Sequence, residues 1–260
     1  METVIWRIND TAWTLALKKR GSIYFTYKDV ILKYSFLRLY NFWLSVRAKL
    51  WNRAIIHIIG DSHAMPFVFK SPFIVHHISQ ATAHNLNKDA SATQSKKYLN
   101  SFLPRINKKR DVVLLVFGEI DARVHIYYQY AKRGGKVSIE ELVATTVARY
   151  GQTIKRLQRD GFAVCVHGIP PAARKNFVSD LPFLGTPEQR SQISRIFSLQ
   201  LGKFCEQNRV PYIDVQAVSA DESGFISKKY LADEVHLNGN IVPFVKARIK
   251  EAFKDTKRLL

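Results

Sequence analysis

From residue 54 onward the chain alternates short apolar runs with longer amphipathic ones. Residues 54–59 (AIIHII), 111–118 (DVVLLVFG), 162–168 (FAVCVHG) and 210–215 (VPYIDV) have strand length and are rich in Val and Ile. Between and after them, residues 90–106, 138–161, 186–208 and 238–257 carry apolar positions at helical spacing. Ser138 with Glu141 three residues on predicts a capping box at the head of the second of these helices. Thr186 followed by Pro187 predicts an N-cap and a first helical residue for the third. Pro243 predicts that the closing helix starts near itself, because proline cannot donate inside a helix. Strands that alternate with helices imply an α/β fold whose parallel sheet is covered on both faces.

In such sheets ligands bind beyond the carboxyl ends of the strands, so the residues found there matter most. After the first run come Gly60, Asp61, Ser62 and His63; after the second come Gly118, Glu119, Ile120, Asp121, Ala122 and Arg123; after the third comes HGIPPAA. Near the C-terminus stands Asp233-Glu234-Val235-His236. A serine hydroxyl is a weak nucleophile until a base removes its proton, and histidine can do so near neutral pH. The imidazole must be held in one tautomer, which a carboxylate does. Asp233 and His236 are three residues apart, a spacing that lets the carboxylate reach the far ring nitrogen in a turn or tight loop. Ser62, His236 and Asp233 therefore supply nucleophile, base and orienter. Each piece alone is also an ordinary turn or surface loop; order and placement make the joint case.

The blocks IIGDSHA, VFGEIDAR and LADEVHLN, in this order and spacing, resemble the SGNH (GDSL-type) hydrolase superfamily. The resemblance covers about residues 54–250. It implies a three-layer α/β/α sandwich around a central parallel sheet, of SGNH or flavodoxin-like type. It also implies ester hydrolysis or acyl transfer through an acyl-enzyme on Ser62, with Asp233 and His236 as partners, no metal and no tightly bound cofactor. The middle blocks depart from the family. No glycine lies between Asp61 and Gly118, so the backbone of Ala81 or the side chain of Asn85 is the expected substitute oxyanion donor. Ile120 stands where the family has an asparagine donor, leaving Arg123 or His84 to replace it. The loss of one such donor typically costs about 10²–10³ in rate.

Glu119, Asp121 and Arg123 read either as an ion pair bracing the loop or as acids orienting an arginine that faces the pocket. Asp61 and His63 are expected in or behind that pocket. Arg174 and Lys175, after the two prolines of the third strand end, are expected to attract an anionic substrate. A metal reading of Asp61, His63, Asp121, His125 and His236, in the manner of metallophosphoesterases, lacks that class's later Gly-Asn-His and Gly-His-x-His motifs. His57, His76, His77 and His167 read as structural histidines.

The first 53 residues differ from the rest, and the domain division is placed there: 1–53 a helical basic and aromatic extension, 54–260 the α/β domain. All four tryptophans fall in the extension, with ten basic residues against three acids. Residues 29–51 have helical spacing, for which either packing on the main domain or a membrane, glycan or subunit contact is expected. The whole chain of 260 residues carries a formal charge of +19, which favours polyanionic partners; no nucleic-acid motif accompanies it. Two distant cysteines, Cys165 and Cys205, exclude a disulfide scaffold or zinc finger. With no leader pattern and no apolar run long enough to span a bilayer, the expected location is cytoplasmic, with membrane association at the inner face through residues 1–53.

These readings predict a serine-dependent acyl-ester enzyme acting on a carbohydrate. An O-acetyltransferase of an anionic surface glycan, with acetyl-coenzyme A as candidate donor, comes first. A carbohydrate O-acetyl esterase is the near alternative. A non-catalytic polyanion- or glycan-binding module with a vestigial triad is the alternative from another class.

Overall fold

The computed structural model describes residues 27–174 and 184–254. Five parallel strands form one sheet: β1 (Ile56–Gly60), β2 (Phe73–His77), β3 (Val112–Val116), β4 (Ala163–His167) and β5 (Tyr212–Ile213), in the order β2-β1-β3-β4-β5. The helices are α1 (Tyr27–Leu50), α2 (Ser95–Phe102), α3 (Ile126–Lys132), α4 (Ile139–Arg159), α5 (Pro187–Gln207), α6 (Gln216–Ser219) and α7 (Val242–Ala252). The expected three-layer α/β/α arrangement is what forms. Side chains alternate across the strands, and the two sets feed different layers. Ile59, Val113, Leu115, Val164 and Val166 pack against α2, α4 and α5. Ile56, Ile58, Leu114 and Cys165 pack against α7 and the turn after β1.

Both predicted caps form. Ser138 Oγ accepts from the Glu141 N–H while the Glu141 carboxylate accepts from the Ser138 N–H; Thr186 and Gln189 make the same reciprocal pair. Several elements differ from expectation; α3 and α6 form where no element was predicted. Segment 90–106 is α-helical only from Ser95 to Phe102, because Pro104 has no N–H and a separate 3-10 turn, Leu103–Arg105, takes over. Strand β5 shortens to two residues. Strand β2 was not expected at all: in FIVHH the two histidines break the apolar run, yet His76 is buried.

That burial has a partner. His57 Nδ1 lies 2.9 Å from His76 Nε2, and His57 Nε2 lies 3.3 Å from Asp111 Oδ2. Asp111 also accepts from the Ile55 N–H, and Arg110 spans from Asp111 to the Ala48 carbonyl of α1. His57, His76 and Asp111 thus tie β1, β2, the start of β3 and, through Arg110, α1 together. His167 is likewise buried, its Nδ1 2.8 Å from the Gly168 carbonyl oxygen.

The strand order places a switch point between β1 and β3. The chain leaving β1 turns toward the α7 layer, through Ala64 and Phe67. The chain leaving β3 turns toward the α4 and α5 layer, through Ala122 and Ile126. Neighbouring strands whose exits part in this way leave a crevice at their carboxyl ends. Gly60, the last residue of β1, makes the close pairing there possible. A Cβ at Gly60 would sit 2.6 Å from the Val116 carbonyl oxygen. Gly60→Ala is therefore expected to lose about 1–3 kcal/mol of stability in urea unfolding; an unchanged midpoint would show that β1 and β3 can part without cost.

Candidate active site

Ser62 is the first residue of a 3-10 turn, Ser62–Phe67, that begins directly after β1. Asp61 caps this turn: its buried carboxyl Oδ1 accepts from the His63 N–H at 2.9 Å, and burial pushes its pKa well above the ordinary value. At the first turn position the serine N–H has no partner within the turn. The hydroxyl is half-buried, and Ser62 Oγ lies 2.8 Å from His236 Nε2. On the other side of the ring, His236 Nδ1 lies 2.8 Å from Asp233 Oδ2.

The loop that presents His236 is built by its own sequence. Asp233 Oδ1 accepts from the backbone N–H groups of Val235 and His236, each at 2.9 Å. An isolated bridge between Leu231 and Leu237 closes the loop, and the Asn238 N–H donates to the Tyr230 carbonyl. Partial burial works to raise the Asp233 pKa, but the His236 ring and the two backbone N–H groups outweigh it and hold the carboxyl below the usual range. A carboxylate at Nδ1 requires the proton there, which leaves the Nε2 lone pair facing Ser62. The arrangement can take a proton from the serine hydroxyl.

A second cluster backs the first. The His63 ring lies 4.7 Å from the His236 ring, centroid to centroid, and its Nε2 is 3.0 Å from Glu119 Oε2. Glu119 Oε1 accepts from Arg123 Nε at 2.6 Å. Burial alone would raise the Glu119 pKa; His63 and Arg123 more than reverse it, to about 2. For His63, burial prevails over Glu119 and moves the imidazole below its ordinary value. Arg123 sits in a five-residue π-helix, Asp121–His125, entered from Gly118. Gly118 has φ +116°, and a Cβ there would meet Ile169 Cδ1 at 2.5 Å, so only glycine serves.

Of the two acids expected to orient Arg123, Glu119 holds it and Asp121 does something else. Asp121 is buried and accepts from the backbone N–H groups of Ala83, at 2.7 Å, and His84, at 3.2 Å. It thereby pins the loop after β2 to the loop after β3. Burial raises its pKa to about 7 despite those donors.

The residues expected to replace the missing oxyanion donors are mostly engaged elsewhere. The Ala81 N–H turns back to the Ile78 carbonyl at 3.3 Å. The His84 ring lies 3.3 Å from the Thr146 hydroxyl of α4, and the His84 carbonyl accepts from Arg149. Asn85 is half-buried in the same turn, its N–H on Thr82. Arg174, expected to meet substrate, pairs with Asp221 at 2.7 Å and lies over the Phe225 ring. Lys175 falls outside the described residues.

One residue of the site had gone unmarked. Arg190, on the first turn of α5, is buried and donates to the Gly185 carbonyl. With Glu119, Arg123, Pro170, Pro171 and Val235 it lines a narrow cleft beside His63. An arginine on the inward face of an amphipathic helix, in register with Ile193 and Phe197, was the available signal. Among the described residues, no group of three or more His, Cys, Asp or Glu side chains is placed to hold a metal ion.

Neither a protein-family model nor a curated protein sequence matches the chain. Solved structures do. A GDSL-like lipase from Bacteroides thetaiotaomicron aligns with a TM-score of 0.52 at 15% identity, covering 83% of this chain and 97% of the lipase. A candidate acylhydrolase from Bacteroides fragilis aligns with a TM-score of 0.51 at 16% identity, over 77% and 86% of the two chains. The chain has the SGNH (GDSL-type) hydrolase fold.

The raised pKa of Asp121 fixes a sign. Between the ordinary carboxyl value of 3.8 and about 7, the folded chain holds a proton that the unfolded chain has released. This group's contribution to stability is complete below 3.8 and is lost as pH rises toward 7. The stability advantage of the native chain over Asp121→Asn is therefore expected to shrink across that interval in paired urea titrations. A difference independent of pH would show Asp121 ionised throughout.

Proposed function

We propose that the chain is a serine-dependent acyl-ester enzyme working through an acyl-enzyme on Ser62. The observation that carries this reading is the unbroken chain of hydrogen bonds from Ser62 through His236 to Asp233, 2.8 Å at each link. Ser62 Oγ attacks the acyl carbonyl carbon as His236 Nε2 takes its proton. The tetrahedral intermediate collapses, and the leaving group, an alkoxy oxygen from an ester or the sulfur from a thioester donor, departs with that proton. An incoming hydroxyl then attacks the acyl-serine, gives its proton to His236, and Ser62 recovers it on leaving. Asp233 remains ionised and holds the ring in one tautomer throughout.

The oxyanion is met by the Ser62 N–H, with the Asn85 side chain as the second donor. Ile120 has nothing to donate, so this hole is poorer than one with an asparagine there. His63, packed against His236 and anchored by Glu119, acts as a positioning residue that limits rotation of the imidazole.

The finer reading concerns the acceptor in the second half-reaction. A charge of +19 supports an anionic partner, and we assign the acyl group as acetyl and the preferred acceptor as a hydroxyl of an anionic glycan, with acetyl-coenzyme A as donor. Water as acceptor gives the esterase reading through the same acyl-enzyme.

A fluorophosphonate probe tests the shared step. The native chain is expected to be labelled, Ser62→Ala is expected to escape labelling, and its turnover of an acetyl ester is expected to fall by about 10⁴-fold or more. A native chain that takes no label would favour the non-catalytic binding module. Acetyl transfer to a glycan is tested separately, by comparing acetylated glycan with free acetate. Free acetate alone would overturn transfer and leave the esterase.

A further inference from the structure

Helix α1 is apolar on two sides, and among the described residues the fold covers only one. Leu44 and Ala48 are buried against Ile55 and Ile74, with Tyr40 beside them. On the other side Phe36, Leu39, Trp43, Val46 and Leu50 follow one another at spacings of three and four residues. They are 62%, 63%, 53%, 39% and 71% exposed. Phe42 and Trp51 are exposed alongside them. This stripe runs about 21 Å along the helix, at 1.5 Å per residue. A helix that is apolar all round belongs in a core or against an apolar phase, and a patch of this kind marks an interaction surface.

The surroundings are basic. Arg38, Lys49 and Arg53 are exposed on and after the helix, and Arg47 lies over the Trp43 ring at 5.2 Å. Between α1 and α7 a groove of about 420 Å³ is lined by Arg47, Arg53, Lys246 and Lys250. Among the described residues of α1, no acid follows Asp29. Large aromatic and aliphatic groups among cations are what an interfacial helix needs on an anionic bilayer: the apolar row enters the headgroup region and the cations meet phosphates. A second copy of this chain fits less well, since it would bring two surfaces of the same positive sign together.

We infer that the outer face of α1 docks on an anionic phospholipid bilayer. Ile55, Ser71 and Pro72 line the groove at the amino end of the strands, whereas Ser62 lies beyond their carboxyl end. Docking thus leaves the Ser62 crevice at the opposite end of the sheet from the membrane contact of the C-terminal half of α1.

The test is co-sedimentation of the full chain with vesicles. Retention is expected on vesicles of equal parts phosphatidylcholine and phosphatidylglycerol, and much less on phosphatidylcholine alone. Leu39→Asp with Trp43→Asp should reduce retention about tenfold or more, with circular dichroism and turnover of a short soluble ester unchanged. Leu39→Ser with Trp43→Ser serves if the charged pair disturbs folding. Arg38→Glu with Lys49→Glu should weaken retention and flatten its dependence on salt. Ser62→Ala should be retained like the native chain, which separates this inference from the proposed chemistry. No retention on the anionic vesicles would overturn it. So would equal retention of the apolar variants, or a lipid-free dimer in sedimentation equilibrium that those variants return to monomer.

Discussion

The contact between Ser62 Oγ and His236 Nε2 joins residues 174 positions apart in the chain, and most of the described structure bears on its 2.8 Å length. Ser62 is positioned by its own turn together with the neighbouring strand, and His236 by the loop that carries it. Ser62 stands where it does because Gly60 lets β1 lie against β3 and because Asp61 caps the turn that follows. His236 stands where it does because Asp233 gathers two backbone N–H groups and a ring nitrogen onto one carboxylate. The sheet supplies the common frame. Its order, β2-β1-β3-β4-β5, sets β1 beside β3, whose exits part toward opposite layers and leave the crevice between them.

Behind that contact lies a concentration of buried charge that the fold has to reconcile. Glu119 is shared by His63 and Arg123, which keeps it ionised although it is out of water. Asp121, two residues on, accepts from the backbone N–H groups of Ala83 and His84, and burial pushes it the other way, to about 7. The same short loop thus holds one acid as an anion and one that burial leaves partly protonated near pH 7, because a cation offsets the burial of the first and two backbone amides offset that of the second only in part. The first braces the histidine next to His236; the second locks the loop after β2 in place. A buried glutamate paired with an arginine is costly to disturb from either side, because removing one partner leaves the other charge buried.

Much of this was readable from residues alone. The alternation of apolar runs and helical spacing gave the layers, and Ser138–Glu141 and Thr186–Pro187 marked two helix starts that form as written. What escaped reading depends on distant contacts. Strand β2 carries two histidines because one of them, His76, is matched by His57 across the sheet, a pairing with no local signature. Asp121 looked like a partner for the nearby Arg123, but its partners are N–H groups some forty positions earlier, reachable only once the sheet exists. Arg190 is buried against Gly185 and the prolines after β4, contacts that a helix in a basic chain does not advertise. Ala81 and His84, reasonable donors by position, are turned away by a local turn and by Thr146. Local spacing predicts elements and turn chemistry; it does not say which buried group faces which.

The central claim is that Ser62 becomes covalently acylated during turnover. The direct measurement is intact-protein and peptide mass spectrometry after rapid acid quench of the chain turning over an activated acetyl ester. The account predicts one added acetyl group, on the peptide that contains Ser62, disappearing as the substrate is exhausted. Continued turnover with no adduct at any quench time, or with an adduct on another residue while Ser62 stays free, would contradict it.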